Sequence, residues 1–81
     1  MEHRDQARRR ALKGGEIVFN RENSVISCVM RDLSEAGARL AVGSTVGIPD
    51  HFTLILNDKS KSWECSVKWR SIDTIGVHFE H

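Results

Sequence analysis

The sequence is poor in the residues that build disulfide scaffolds, membrane spans and aromatic binding platforms. Its 81 residues include no tyrosine, one proline and two cysteines, and aromatic residues make up 6%. Because Cys28 and Cys65 lack the paired spacing of a zinc site, both are predicted to be buried free thiols. No apolar run approaches the roughly 18 residues of a membrane span, and the charged start, Met1-Glu2-His3-Arg4-Asp5, is unlike a signal peptide. We therefore expect a cytoplasmic location and no membrane partner.

A strong charge of either sign is also missing. The net charge is +1, which gives the chain as a whole little attraction for nucleic acid or membranes. The positive charge is concentrated in residues 4–13, where one acid, Asp5, faces five basic residues: Arg4, Arg8, Arg9, Arg10 and Lys13. This stretch would attract a phosphate-bearing ligand. Nucleic-acid binding ranks third among the hypotheses, because the phenylalanines fall on inward positions and leave few platforms for base stacking.

No catalytic constellation is visible in the sequence. The four histidines show no metal-ligand spacing, the serine-containing turns lack a nucleophile elbow, and Gly14-Gly15 lacks a phosphate-loop pattern. We therefore predict a binding protein without enzymatic activity, metal or cofactor.

Apolar and polar residues alternate with a period of two, which is typical of half-buried strands. Six strands are predicted, over residues 16–20, 24–33, 37–42, 51–57, 63–70 and 74–80. The clearest alternation places Trp63, Cys65, Val67 and Trp69 on one core-facing side of the fifth strand. Without helical periodicity, such strands must close to cover their apolar face, so the prediction is an all-β, small six-stranded antiparallel barrel. Residues 15–81 are assigned to the barrel and residues 1–14 to a flexible basic N-terminal arm.

One polar segment between the second and third predicted strands stands apart: Asp32-Leu33-Ser34-Glu35-Ala36-Gly37-Ala38. Short side chains such as those of Asp32 and Ser34 bond to nearby backbone, and Gly37 can adopt angles that other residues avoid. A tight turn is predicted, with Asp32, Ser34 and open amides near Gly37 crowded at one outward edge. A ligand could bind there, although a simple hairpin turn would explain the same residues.

Together with the basic arm, this segment resembles the paired motifs of the PilZ domain family. The first family motif is an arginine, three residues and a second arginine; the second is Asp or Asn, any residue, Ser, two of any kind and Gly. The second motif matches in full at Asp32, Ser34 and Gly37. The first is degenerate, because Arg9-Arg10-Ala11-Leu12-Lys13 ends in lysine. The later strand pattern and the ending Ile75-Gly76-Val77-His78-Phe79 are also similar to those of PilZ domains.

The resemblance implies a bacterial signalling domain that binds cyclic diguanylate, a second messenger with two phosphates and two guanines. By resemblance, Arg9 and Lys13 take the places of the two motif arginines, and the second-motif residues complete the site. Arg8 and Arg10 are adjacent substitutes. Arginine can hold phosphate with two parallel hydrogen bonds, whereas lysine at position 13 keeps the charge and loses the planar fork.

Two functions are compatible with this pattern. The first is a cyclic diguanylate sensor or adaptor that orders its N-terminal arm on ligand binding and signals to an unidentified protein partner. The alternative is a PilZ-like protein-interaction module that has lost nucleotide binding, which the lysine at position 13 would explain.

Overall fold

The computed structural model describes the backbone of residues 9–80 and the side chains of residues 12–80. Within that range every regular element is a strand: β1 (Arg9–Phe19), β2 (Ser24–Leu33), β3 (Gly37–Ala41), β4 (His51–Leu56), β5 (Ser62–Arg70) and β6 (Thr74–Glu80). All neighbouring pairs are antiparallel, and the strands close into a barrel in the order β1-β2-β3-β6-β5-β4. The predicted all-β, six-stranded antiparallel barrel is confirmed. The described residues contain no helix that could cross a membrane.

The first strand is longer than the sequence pattern predicted. It begins at Arg9 instead of residue 16, so residues 9–14 of the predicted arm belong to β1. The glycine pair was interpreted as a break, but here it allows close strand packing: a Cβ at Gly15 would lie 3.1 Å from the carbonyl oxygen of Ile55 on β4. Residues 1–8 of the predicted arm lie outside the described residues.

The core is filled by side chains from every strand. Five of them have no exposed surface, one from each strand except β5: Ile17, Met30, Leu40, Leu54 and Ile75. From β5, Cys65 is 1% exposed.

Both cysteines are buried free thiols, as predicted. Burial is the main cause that raises the pKa of Cys28 to about 11 and that of Cys65 to about 12.

Two β-bulges, on β2 and β5, interrupt the alternation of faces, and β1 has a further register shift between Arg10 and Lys13. On β2, Met30 pairs with Leu40 and Asp32 with Arg39, which leaves Arg31 as an extra residue. On β5, the extra residue is Lys68, between Val67 and Trp69. Because a bulge re-aims the side chains that follow it, residues beyond it leave the face that strict alternation assigns to them.

The second bulge corrects the sequence interpretation of β5. Trp63 stacks on Phe79 with ring centroids 4.9 Å apart, but Trp69 is 50% exposed. Its indole lies against Gly76 of β6, where the bulge has turned it outward. The prediction that Trp69 shares the core-facing side with Trp63 is therefore wrong.

Candidate functional site

The connection between β2 and β3 is organised by the hydroxyl group of Ser34. This oxygen accepts hydrogen bonds from the backbone N–H groups of Ala36 at 3.1 Å and Gly37 at 3.2 Å, and donates to the carbonyl oxygen of Gly37 at 3.3 Å. The N–H of Ser34 also donates to that carbonyl, at 2.9 Å. A hydroxyl has one proton and two lone pairs, so the turn already uses the full bonding capacity of Ser34.

Gly37 is required by the close approach of two strands and not by an unusual backbone angle. Among the described glycines a positive φ occurs at Gly47, and Gly37 instead lies in β3, paired with His78. A Cβ at Gly37 would fall inside van der Waals contact of the carbonyl oxygen of Val77 and 3.3 Å from the Cα of His78. The glycine therefore permits the close approach of β3 and β6 at the edge of the site.

Asp32 is held by an ion pair with a residue that the sequence motifs do not include. Arg39 lies opposite Asp32 in the β2–β3 pairing, and its guanidinium nitrogen Nη2 is 2.7 Å from Oδ2 of Asp32. The two side chains are 49% and 21% exposed, respectively. Among the described side chains, the other carboxylate oxygen, Oδ1, has no hydrogen-bond partner. Within the described residues, Asp32 is therefore paired with Arg39 through one of its two oxygens.

A cleft of about 260 Å³ opens beside this ion pair on the outer surface of β2, β3, β5 and β6. It brings together all three residues of the second motif, Asp32, Ser34 and Gly37. An adjoining depression of about 330 Å³ also contains Arg39, with Arg31 beside it. Arg39 lines both depressions.

Three further polar residues that line the cleft were missed in the sequence analysis as site residues: Arg39, Lys68 and His78. Alternation alone identifies Arg39 and His78 as outward-facing. It does not reveal that β3 and β6, which are far apart in the sequence, are neighbours in the barrel. Alternation also places Lys68 on the outer face of β5, but its place beside Asp32 depends on the strand order of the barrel.

The backbone of the first motif runs beside the second. Arg9 pairs with Leu33, and Arg10 pairs with Asp32, in the β1–β2 register. The side chains of Arg9 and Arg10, and the whole of Arg8, lie outside the described part of the chain.

Lys13, the last residue of the first motif, occupies a different place. An irregularity separates it from Arg10, and it pairs with Met30, whose side chain is fully buried. Directly opposed residues of an antiparallel pair project from the same face, so Lys13 starts on the same side of the sheet as Met30, although its side chain is exposed. Lys13 is not among the described residues that line the cleft.

The electrostatics of the β4–β5 turn are consistent with this position. Hydrogen bonds from Ser60 to the carboxylate of Asp58 are the main cause that lowers the pKa of Asp58, and the positive charge of Lys13 makes a smaller contribution in the same direction. The charge of Lys13 is therefore felt at the β4–β5 turn. Within the described residues, no group of three or more His, Cys, Asp and Glu side chains is placed to hold a metal ion.

Comparison with known families gives one match. The family model of the PilZ domain matches residues 2–81, nearly the whole chain. No match was found among curated proteins or among solved structures.

Proposed function

The chain belongs to the PilZ domain family, a family of cyclic diguanylate-binding domains, and from this premise we propose that it is a non-catalytic cyclic diguanylate sensor. The ligand binds in the cleft beside the β2–β3 turn, and the bound state signals to a protein partner. The proposed ligand contacts come from Arg8, Arg9, Arg10 and Asp32. Ser34 and Gly37 shape the turn at the rim of the cleft, and Lys13 is the degenerate motif position that the titration below tests.

One observation carries this proposal, the register of β1 against β2. It pairs the backbone of Arg9 and Arg10 with Leu33 and Asp32, next to a cleft lined by the second motif. Two segments that are separated in the sequence thus meet at one rim. This meeting supports a ligand that presents phosphate to arginine and hydrogen-bond donors to a carboxylate.

The chemistry of the cleft is suited to a guanine nucleotide. The oxygen Oδ1 of Asp32 can accept an N–H from the polar edge of a guanine, because an ionised carboxylate is a pure acceptor. Arg39 keeps the same carboxylate in position from its other side. The hydroxyl of Ser34 and the small residue at position 37 maintain the turn that shapes the rim. Arginine guanidinium groups from the first motif are the proposed phosphate ligands.

Binding is proposed to order the N-terminal residues against the cleft and so change the surface presented to a partner. Slower hydrogen exchange across residues 4–15 at saturating cyclic diguanylate is the expected result. Exchange that is unchanged in this segment while the ligand is bound would contradict the switching step and leave ligand binding itself intact.

Isothermal titration with cyclic diguanylate tests the binding step. We expect micromolar or tighter affinity for the parent chain, loss of binding in Arg9→Ala and Asp32→Ala, and no change in the control Lys61→Ala, a variant of an exposed residue outside the cleft. If the parent does not bind but Lys13→Arg does, the lysine has removed an ancestral site. If neither binds, the protein-interaction alternative replaces the sensor.

A further inference from the structure

The cleft contains a cation that belongs to neither motif. Lys68 is the extra residue of the β5 bulge, between the pairs Val67–Val77 and Trp69–Gly76. Alternation from Val67 places Lys68 on the outer face of β5, and the residue lines the cleft together with Asp32 and Ser34.

The two cations of the cleft differ in their charge environment. The guanidinium of Arg39 is 2.7 Å from Asp32, so a carboxylate already compensates its charge. In the part of the chain that the structure describes, no carboxylate lies within 4.0 Å of the Lys68 ammonium. Among the described side chains, Lys68 is therefore the uncompensated positive charge that faces the cleft.

The lysine of the first motif does not fill this role in the structure. Lys13 pairs with Met30 and contributes to the low pKa of Asp58 in the β4–β5 turn. Lys68 lines the cleft beside Asp32, and Lys13 is not among the described residues that line it. The lysine at the end of the first motif, Lys13, is thus a different residue from Lys68, the lysine that lines the cleft.

From this arrangement we infer that Lys68 binds a phosphate group of the nucleotide, supplying from β5 a cation that belongs to neither motif. This inference rests on the proposed function and adds to it a residue outside both motifs. An ammonium on a flexible four-carbon stem has three donors and can follow a phosphate oxygen without the fixed geometry of a guanidinium. Such charge-assisted hydrogen bonds are stronger than neutral ones.

The test compares matched lysine variants by titration with cyclic diguanylate at low ionic strength. Lys68→Gln is expected to bind about tenfold more weakly than the parent, the effect of losing one charged hydrogen bond. Lys61→Gln, which removes an equal charge from the β4–β5 connection, is the control and is expected to bind like the parent. Lys68→Arg should retain most of the affinity, and Lys13→Gln should lose less than Lys68→Gln.

A contact with phosphate predicts a further signature. Because the Lys68 side chain is exposed, added salt should screen its interaction with phosphate. The difference in affinity for cyclic diguanylate between the parent and Lys68→Gln should therefore become smaller as NaCl is raised. Thermal melting of each variant confirms that the comparison is made on folded protein.

The outcomes separate this inference from the proposed function. If the parent binds and Lys68→Gln binds within about twofold of the Lys61→Gln control, Lys68 is not a phosphate ligand, and the sensor function stands. A salt-independent loss in Lys68→Gln would also overturn the phosphate contact. If the parent does not bind cyclic diguanylate at all, the proposed function fails, and the role of Lys68 falls with it.

Discussion

Replacing Gly37 with alanine tests whether this glycine is required by the approach of two strands. The added Cβ would overlap the carbonyl oxygen of Val77 and lie 3.1 Å from its carbonyl carbon. Both are backbone atoms of β6, which cannot rotate away as the end of a flexible side chain can. To accommodate the methyl group, β3 and β6 must separate locally. The adjacent hydrogen bond, from the N–H of Phe79 to the carbonyl of Ala36 at 2.7 Å, would then be weakened.

The expected cost follows from these two effects. Overpacking of a well-packed site costs about 1–3 kcal/mol, and loss of one hydrogen bond adds about 0.5–1.5 kcal/mol. The lower backbone entropy of alanine in the unfolded chain returns about 0.4–1 kcal/mol. A net loss of about 2–3 kcal/mol is large for a domain of this size, whose unfolding free energy is expected to be about 4–12 kcal/mol. The melting temperature should fall by about 10–20 °C.

Thermal and urea denaturation, followed by far-ultraviolet circular dichroism, measure this loss. The matched control is Gly43→Ala, because no atom lies within 4 Å of a Cβ built at Gly43 and its φ is not positive. This control should be neutral or slightly stabilising. If Gly37→Ala and Gly43→Ala melt within about 2 °C of each other, the strands separate freely, and the explanation of Gly37 by close approach is refuted.

Three other predictions concern the core and the outer surface. Since burial raises the pKa of Cys28 to about 11 and that of Cys65 to about 12, both thiols should resist a disulfide reagent at pH 8 and react once the chain is unfolded. Unfolded thiols ionise at lower pH than these folded ones, so the unfolding free energy should fall as pH rises from about 9 towards 11. Fast labelling of the folded protein would contradict the burial of the thiols. Gly76→Ala should displace the indole of Trp69 and shift its fluorescence to longer wavelength. The unfolding free energy should fall by less than about 1 kcal/mol, because an exposed side chain can move. An unchanged spectrum would show that the indole does not pack on β6. Arg70→Ala removes three hydrogen bonds to the loop between β3 and β4. The unfolding free energy should fall by about 1–3 kcal/mol. An unchanged midpoint of urea denaturation would show that other contacts hold the loop.

The strand pattern was predictable because burial of one face imposes a period of two on every strand. The predicted bounds of β2 and β6 agree with the structure, and those of β3, β4 and β5 differ by one residue. The start of β1 was not predictable, because a glycine pair is a turn signal in isolation and becomes strand only where a neighbour packs closely on it. The outward position of Trp69 also escaped the pattern, since it depends on the bulge at Lys68.

The candidate site was predictable in part for similar reasons. The turn formed by Ser34 depends on hydrogen bonds between residues at most three apart in sequence, so a local motif identifies it. The ion pair of Asp32 with Arg39 depends on strand register, and the cleft depends on strands that are distant in the sequence. The pairing of Lys13 with Met30 depends on strand register, which the motif alone does not specify.

By itself, the sequence determined that the chain is all-β, that its cysteines are buried, that a tight turn joins β2 and β3, and that its motifs resemble those of PilZ domains. These properties come from local hydrogen bonding and from the periodicity that a buried face requires. Only the tertiary structure decided which strands are neighbours, where the two bulges redirect side chains, and which cations share the cleft with Asp32. The physical reason is barrel closure, which joins β3 to β6 and β1 to β4 through contacts between residues distant in the chain, and no local pattern specifies those contacts.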